Sequence, residues 1–97
     1  MPEFNEIIHQ PVRLRIMAAL VILEPGDEVD FTYLRDLLEV TDGNLGAHLR
    51  KLEQSGHITV NKLFVGRKPR TFVAATPQGR RVFQEHVAAL EAILKSH

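Results

Sequence analysis

Apolar residues recur along this chain with two periods, near 3.6 and near 2, and the places where the period changes divide it into elements. Residues 4–10 read as a short helical lead-in. Pro11 then opens a longer helix, since a proline in the first turn lacks only an N–H that has no helical partner there. Across residues 11–24, Val12, Ile16, Ala19, Leu20 and Leu23 share one face, while Leu14, Met17, Val21 and Ile22 occupy others. A helix that is apolar all round has to be covered all round. Pro25, Gly26 and Asp27 stop it, and residues 29–31 read as a short strand. Thr32 is expected to cap a helix over residues 33–39, with Leu34, Leu37 and Leu38 facing inward. Val40, Thr41 and Asp42 form a turn, and Thr41 or Asp42 caps the next helix, residues 43–55. Its stripe is Leu45, Leu49 and Leu52, and Gly56 ends it. Residues 57–65 and 70–76 are rich in β-formers and joined by a Gly/Pro turn over residues 65–71, hence a hairpin. Pro77 opens a last helix to Lys95, with Phe83, Val87, Leu90 and Leu94 on one stripe and Val82, Ala89 and Ile93 on another.

The element order is therefore α-β-α-α-β-β-α, a mainly α fold with a small β-hairpin. At 97 residues the chain is expected to be a single domain, with no repeat or linker, near the small end of the usual range. In so small a domain the second apolar face of that helix is expected to be a subunit contact in preference to internal core. The first and last helices are accordingly expected to form a homodimer seam through Val12, Ile16, Leu20 and Leu23, and through Val82, Val87, Leu90, Ile93 and Leu94.

Net charge is zero, but its distribution is not even. Glu3, Glu6, Glu24, Asp27, Glu28, Asp30, Asp36, Glu39 and Asp42 fall in the first 42 residues, against Arg13, Arg15 and Arg35. From residue 43 to residue 81 the cations are Arg50, Lys51, Lys62, Arg67, Lys68, Arg70, Arg80 and Arg81, and Glu53 is the sole acid. A polyanion is bound by a local basic surface, whatever the total. With the leucine stripe inward, the outward face of residues 43–55 carries Gly43, Ala47, Arg50, Lys51 and Gln54, flanked by Asn44 and His48.

Four strings in order carry a resemblance. They are Asp42-Gly43-Asn44-Leu45, then Leu49-Arg50-Lys51-Leu52-Glu53-Gln54-Ser55-Gly56, then Gly66-Arg67-Lys68-Pro69-Arg70-Thr71, then Thr76-Pro77-Gln78-Gly79-Arg80. Together with Pro11-Val12-Arg13-Leu14-Arg15-Ile16 they resemble winged-helix transcriptional regulators of the ArsR/MarR type, nearest to short stand-alone winged-helix DNA-binding proteins. The resemblance implies a winged helix-turn-helix, a homodimer, and double-stranded DNA as partner. Residues 43–55 would be the recognition helix in the major groove, and residues 65–71 a wing on the adjacent backbone or minor groove. In such docking, residues near the helix start reach base edges and later cations meet phosphates. Asn44 could then pair an adenine edge and Ala47 touch a thymine methyl, with His48 beside them. Thr41 and the first-turn N–H groups could hold a phosphate, as could Arg50 and Lys51. Arg67, Lys68 and Arg70 would be the wing's contribution. The chain departs from its relatives at Gly46 and Ala47, where polar side chains are frequent. Sequence reading could then rest partly on DNA shape, or Gly46 could permit close packing against the preceding helix; the sequence leaves both open. Arg80 and Arg81, at a helix start, fit a phosphate contact and a solvated pair equally.

Several function classes are set aside. Without cysteine there are no disulfides and no thiolate chemistry. The longest apolar run, residues 16–23, is about half of the roughly 20 residues that a membrane span needs. The start, Met1-Pro2-Glu3-Phe4, is acidic and unlike a secretory signal, so a cytoplasmic protein is expected. No Ser/His/Asp set, nucleotide-binding glycine loop or paired carboxylates point to catalysis, and no cofactor is expected. His86 and His97 share a spacing with ArsR-type zinc sensors, but Gln84 stands where those sensors place a carboxylate. Surface histidines and no metal are expected, and His9 and His57 have no companions at ligand spacing. Gly43-Asn44-Leu45-Gly46 matches the loop of RNA-binding KH domains only weakly, because it adjoins Asp42 and heads a helix. The alternative function is a winged-helix module whose basic face binds an acidic protein. Any small-molecule effector is unknown from sequence.

Overall fold

Every helix in the computed structural model, which describes residues 5–96, starts at a side chain that closes onto its first turn. The helices are α1 (Glu6–His9), α2 (Pro11–Val21), α3 (Phe31–Leu38), α4 (Asp42–Gln54) and α5 (Pro77–Lys95). Their caps are Asn5, Gln10, Asp30, Thr41 and Thr76, each accepting a hydrogen bond from a backbone N–H two or three residues on. Such a bond contributes about 1 kcal/mol per helix. The cap of α3 is Asp30, which accepts from the Thr32 N–H at 2.7 Å, so the helix begins at Phe31 and Thr32 lies within it. The expected strand correspondingly shortens to β1 (Val29–Asp30). Phe4, part of the expected lead-in, lies outside the described residues.

β2 (Ile58–Val65) and β3 (Lys68–Ala75) form a longer hairpin than the Gly/Pro content of residues 65–71 suggests. Pairing runs to Val65 opposite Lys68, leaving only Gly66 and Arg67 as the loop. Gly66 has φ +66, which is what places a two-residue turn between twisted strands. β1 pairs with the other side of β3, giving the antiparallel order β1-β3-β2. Val73 lies at the centre, opposite both Val29 and Val60, and is fully buried.

One core joins these elements. Ile8, the α2 residues Ile16, Met17 and Leu20, the α3 residues Leu34 and Leu38, and the α4 residues Leu45, Leu49 and Leu52 pack with Ile58, Val73 and Ala75. The seam expectation fails for two of these residues. Ile16 is 0 % and Leu20 1 % exposed in the single chain, because α2 turns that face onto α3, α4 and the sheet. Leu37, expected inward, stands half exposed. The helix α2 also ends at Val21 instead of Glu24, and the Ile22 side chain stands in solvent.

The string Thr76-Pro77-Gln78-Gly79-Arg80 explains that ending. The Thr76 hydroxyl accepts from the Gly79 N–H at 2.9 Å and donates to the Gly56 carbonyl at 2.7 Å, fastening α5 to the junction of α4 and β2. The Arg80 guanidinium donates to the carbonyls of Val21 and Glu24, both at 3.1 Å, and of Leu20 at 3.5 Å. A cation among the orphan carbonyls at a helix C-terminus is favourable. Neither the phosphate nor the solvated reading of Arg80 holds. A Cβ on Gly79 would lie 2.0 Å from the His57 carbonyl oxygen, so α5 passes over the start of β2 at a distance that only glycine allows.

The buried histidines overturn the surface expectation. His86 is 0 % exposed, and its Nε2 lies 3.4 Å from Nδ1 of His9 on α1. His57 is buried between the end of α4 and the start of α5. Burial holds the pKa of His57 below its ordinary value. It does the same for His86, with the nearby His9 adding to the effect. His48 is also held low, first by burial and then by the charge of Arg13. Arg13 Nη1 lies 3.2 Å from His48 Nδ1, and its Nε donates to the Ile7 carbonyl, tying α1, α2 and α4 together.

Two outcomes are expected. Gly79→Ala forces backbone apart and should lower stability by about 3 kcal/mol, read as a fall in the urea midpoint. An unchanged midpoint would refute the close approach. Because the three histidines bind protons more weakly when folded, the unfolded chain protonates first as pH drops. Stability should be full above pH 6.5, the unperturbed value, and should decline below it toward the folded pKa values. A melting temperature equal at pH 7.5 and 5.5 would contradict this.

Candidate nucleic-acid interface

The leucine stripe of α4 is buried to within 3 % and the rest of the helix follows from it. At 100° per residue, Gly43, Ala47, Arg50 and Gln54 fall opposite the stripe, with Asn44 and Lys51 just beside them. All six are exposed. His48 sits at the edge, half buried, and its Nδ1 faces Arg13. A neutral ring that accepts there carries its hydrogen on Nε2, so His48 offers one donor outward.

The start of the helix is held from two sides. The Thr41 hydroxyl oxygen accepts from the Asn44 N–H at 3.1 Å, which leaves the hydroxyl hydrogen as a donor. Glu39, in the left-handed region at φ 56, turns the chain between α3 and α4. Arg35 then donates to Asp42 at 2.8 Å and to Asp36 at 3.0 Å. Hydrogen bonds to Asp42 first, and then to Asp36, raise the Arg35 pKa. Arg35 thereby offsets the acid at the head of α4, where an uncompensated carboxylate would repel a phosphate. The first turn is not an open anion cradle, since Asp42 and the Thr41 cap occupy it.

Beside α4 the hairpin stands clear of the body, with every residue from 61 to 70 exposed. Its base is fastened to the segment around β1. The Asn61 side chain donates to Glu28 at 3.0 Å, and Arg70 pairs with Asp30 at 3.5 Å. Arg70 is thus partly committed to holding the wing in place, a role its position near the loop did not suggest. Arg67 and Lys68 make no ion pair among the described residues. An open trough of about 440 Å³ separates α4 from the hairpin. Phe31, Leu49 and Val60 are among its apolar lining, with Gly46, Arg50 and Glu53 on the helix side and Lys62 and Thr71 on the other. Gly46 is not there for packing against α3. A Cβ at that position would meet only Arg50 Nη1, at an ordinary 3.8 Å. Its missing side chain instead keeps the trough wall low.

The two ends of the seam expectation differ. Leu23, Val82, Val87 and Leu90 are half covered, and Val12 packs against the core, whereas Ile93 and Leu94 are exposed, Leu94 to 74 %. No group of three or more His, Asp or Glu side chains that could hold a metal occurs among the described residues, and His97 lies outside them. Among those residues no helix is long and apolar enough to cross a membrane. Sequence reasoning missed Arg13 and Arg35 as builders of this face, and it missed Arg80 as the group that closes the end of α2. A cation close to a helix terminus is the one signal that marked Arg80 in advance.

Comparison with known proteins gives the same architecture. A family model described as a winged helix DNA-binding domain matches residues 12–94. An uncharacterized protein of Methanocaldococcus jannaschii is 33 % identical over 91 residues, covering 94 % of this chain and 96 % of its own. The structure of a transcriptional regulator homologue from Pyrococcus horikoshii OT3 superposes with a TM-score of 0.86 at 32 % identity, over 95 % of this chain and 88 % of that one. A PadR family transcriptional regulator from Eggerthella lenta DSM 2243 shares the fold, with a TM-score of 0.70 at 22 % identity over 93 % and 84 % of the two chains. With a cationic helix face, a standing hairpin beside it and a family model spanning nearly the whole chain, the protein belongs to the winged helix DNA-binding domain family and is a winged-helix regulator.

Proposed function

We propose that this regulator is a cytoplasmic homodimer that binds double-stranded DNA sequence-selectively and has no enzymatic activity. Each subunit would insert α4 into a major groove and lay its wing over the neighbouring backbone and minor groove. The observation that carries the reading is the exposed outer side of α4, with Asn44, Ala47, Arg50 and Lys51, beside an open trough in which Arg50 on the helix stands across from Lys62 on the hairpin, whose tip bears exposed Arg67 and Lys68. A helix about 10–12 Å wide fits the roughly 12 Å major groove, and a phosphate strand lying in the trough would meet cations from both walls. Thr41, Gly43 and His48 border that face. Arg70 would contribute less than Arg67 and Lys68, since Asp30 shares its charge.

Asn44 is the best base reader on the leading end, because Gly43, Gly46 and Ala47 have no polar side chains. Asn44→Ala should cost about 1–3 kcal/mol on a selected site and far less on random duplex, with the salt slope nearly constant. Lys51→Ala should weaken both DNAs and reduce the slope, as loss of a phosphate contact does. Equal losses for Asn44→Ala on both duplexes would leave shape readout as the source of selectivity.

The dimer would form along α5 through Leu90, Ile93 and Leu94, with Val82 and Val87 behind them and Leu23 at the end of α2. Two subunits on one DNA raise affinity by tethering the second contact to the first. Leu94→Glu, at an exposed site, should dissociate the dimer in sedimentation while leaving helix content intact. Leu20→Glu should unfold the subunit itself. A wild-type chain sedimenting as a monomer at micromolar concentration would exclude the dimer.

A further inference from the structure

The wing carries more apolar surface than a purely electrostatic role explains. Leu63, Phe64 and Val65 are consecutive and exposed, and Phe64 is 77 % exposed. Strand alternation sorts them onto two faces. Val60 and Lys62 turn toward α4, where they line the trough, and Phe64 continues that row beyond its end. Directly across the ladder from Phe64 stands Pro69, one pair short of the Gly66–Arg67 loop. An aromatic ring and a proline ring thus make one apolar ridge on the side of the wing that faces α4. Pro69 has its φ fixed by its own ring, which stiffens the strand beneath the ridge.

What surrounds the ridge decides its occupant. Lys62 is exposed on the same face, Arg67 is exposed in the loop just beyond, and Arg50 stands across the trough. A second copy of the same wing would bring like charges together, whereas a polyanion is drawn to them. Duplex DNA supplies both halves of the match, since its phosphates suit the cations and its base steps accept an inserted apolar side chain. We propose that Phe64, backed by Pro69, is a minor-groove wedge. It enters beside the phosphate strand held between Arg50 and Lys62 and opens one base step. The duplex bends toward its major groove, and sites with an easily unstacked TA or CA step at that point are favoured. This rests on the duplex binding proposed for α4 and the wing, and it adds a reader of deformability to a recognition helix with few polar side chains.

The test uses the whole chain, duplexes selected by the wild-type protein, and phosphatidylserine vesicles as a second probe. Because Phe64 is exposed, Phe64→Ala should keep the wild-type melting temperature. It should bind the selected duplex about tenfold to a hundredfold more weakly, as loss of one buried aromatic side chain implies. The bend read by end-to-end energy transfer should disappear, while the salt slope stays that of the wild type. Arg67→Ala with Lys68→Ala should do the opposite, flattening the slope and lowering affinity for all duplexes alike. The chain has no tryptophan, so Phe64→Trp places a unique reporter whose emission should be quenched by duplex as the indole meets bases. Wild-type affinity and bend in Phe64→Ala, or unchanged emission in Phe64→Trp with DNA bound, would overturn the wedge while leaving DNA binding intact. Loss of vesicle binding in Phe64→Ala without loss of duplex affinity would overturn it in favour of a lipid surface. A wild-type chain that binds no duplex would remove the DNA reading itself, and the wedge with it.

Discussion

Leu45, Leu49 and Leu52 hold α4 in the core, and because side chains on a helix are set 100° apart, their burial also chooses which residues face away. Deleting one such leucine costs about 2–5 kcal/mol, a large part of what a domain of this size possesses. The proposed recognition face is therefore not an independent feature that could drift over the surface. It is the back of the core, and its register can shift only if the leucine stripe shifts too. The Thr41 cap and the Arg35–Asp42 pair fix where that face begins, and Glu39 sets the turn into it.

The rest of the fold serves to place a second cationic element beside the first. The hairpin is anchored where α5 crosses it at Gly79 and where Asn61 and Arg70 meet Glu28 and Asp30. Those acids belong to the acidic first half of the chain, and the groups they meet, the Asn61 amide and the Arg70 cation, belong to the basic second half. The charge asymmetry thus has two uses. The Arg70–Asp30 pair helps to hold the wing, and Arg50, Lys51, Lys62, Arg67 and Lys68 remain exposed on α4 and the hairpin. Zero net charge and a polyanion-binding face are compatible for that reason.

Much of this was legible in advance because it is local. The period-3.6 stripes, the Pro and Gly breaks and the alternating hairpin all arise from neighbours in sequence, and they placed each helix within a few residues. The α4 face was legible as the complement of its stripe. What escaped was set by partners far along the chain. Arg13 meets His48 without leaving a mark on its own surroundings, and Arg80, conspicuous at a helix start, gives no hint that its partners are carbonyls near residue 21. The inward turn of Ile16 and Leu20 escapes the sequence because a helix apolar on every side gives no clue to which face meets its own subunit. His86 did leave a signal. It stands three residues after Phe83 and four before Leu90, at core spacing, so its position and not its ligand chemistry carries the information.

The account stands or falls on whether the basic side of α4 and the wing meets phosphates. The direct measurement is the affinity of the wild-type chain for duplex DNA across a series of salt concentrations. Five cations per subunit, Arg50, Lys51, Lys62, Arg67 and Lys68, acting in the proposed dimer predict a slope of log K against log salt of about −9. A slope near zero, or binding to an acidic protein with none to duplex, would contradict the account and favour a protein-interaction module on the same fold.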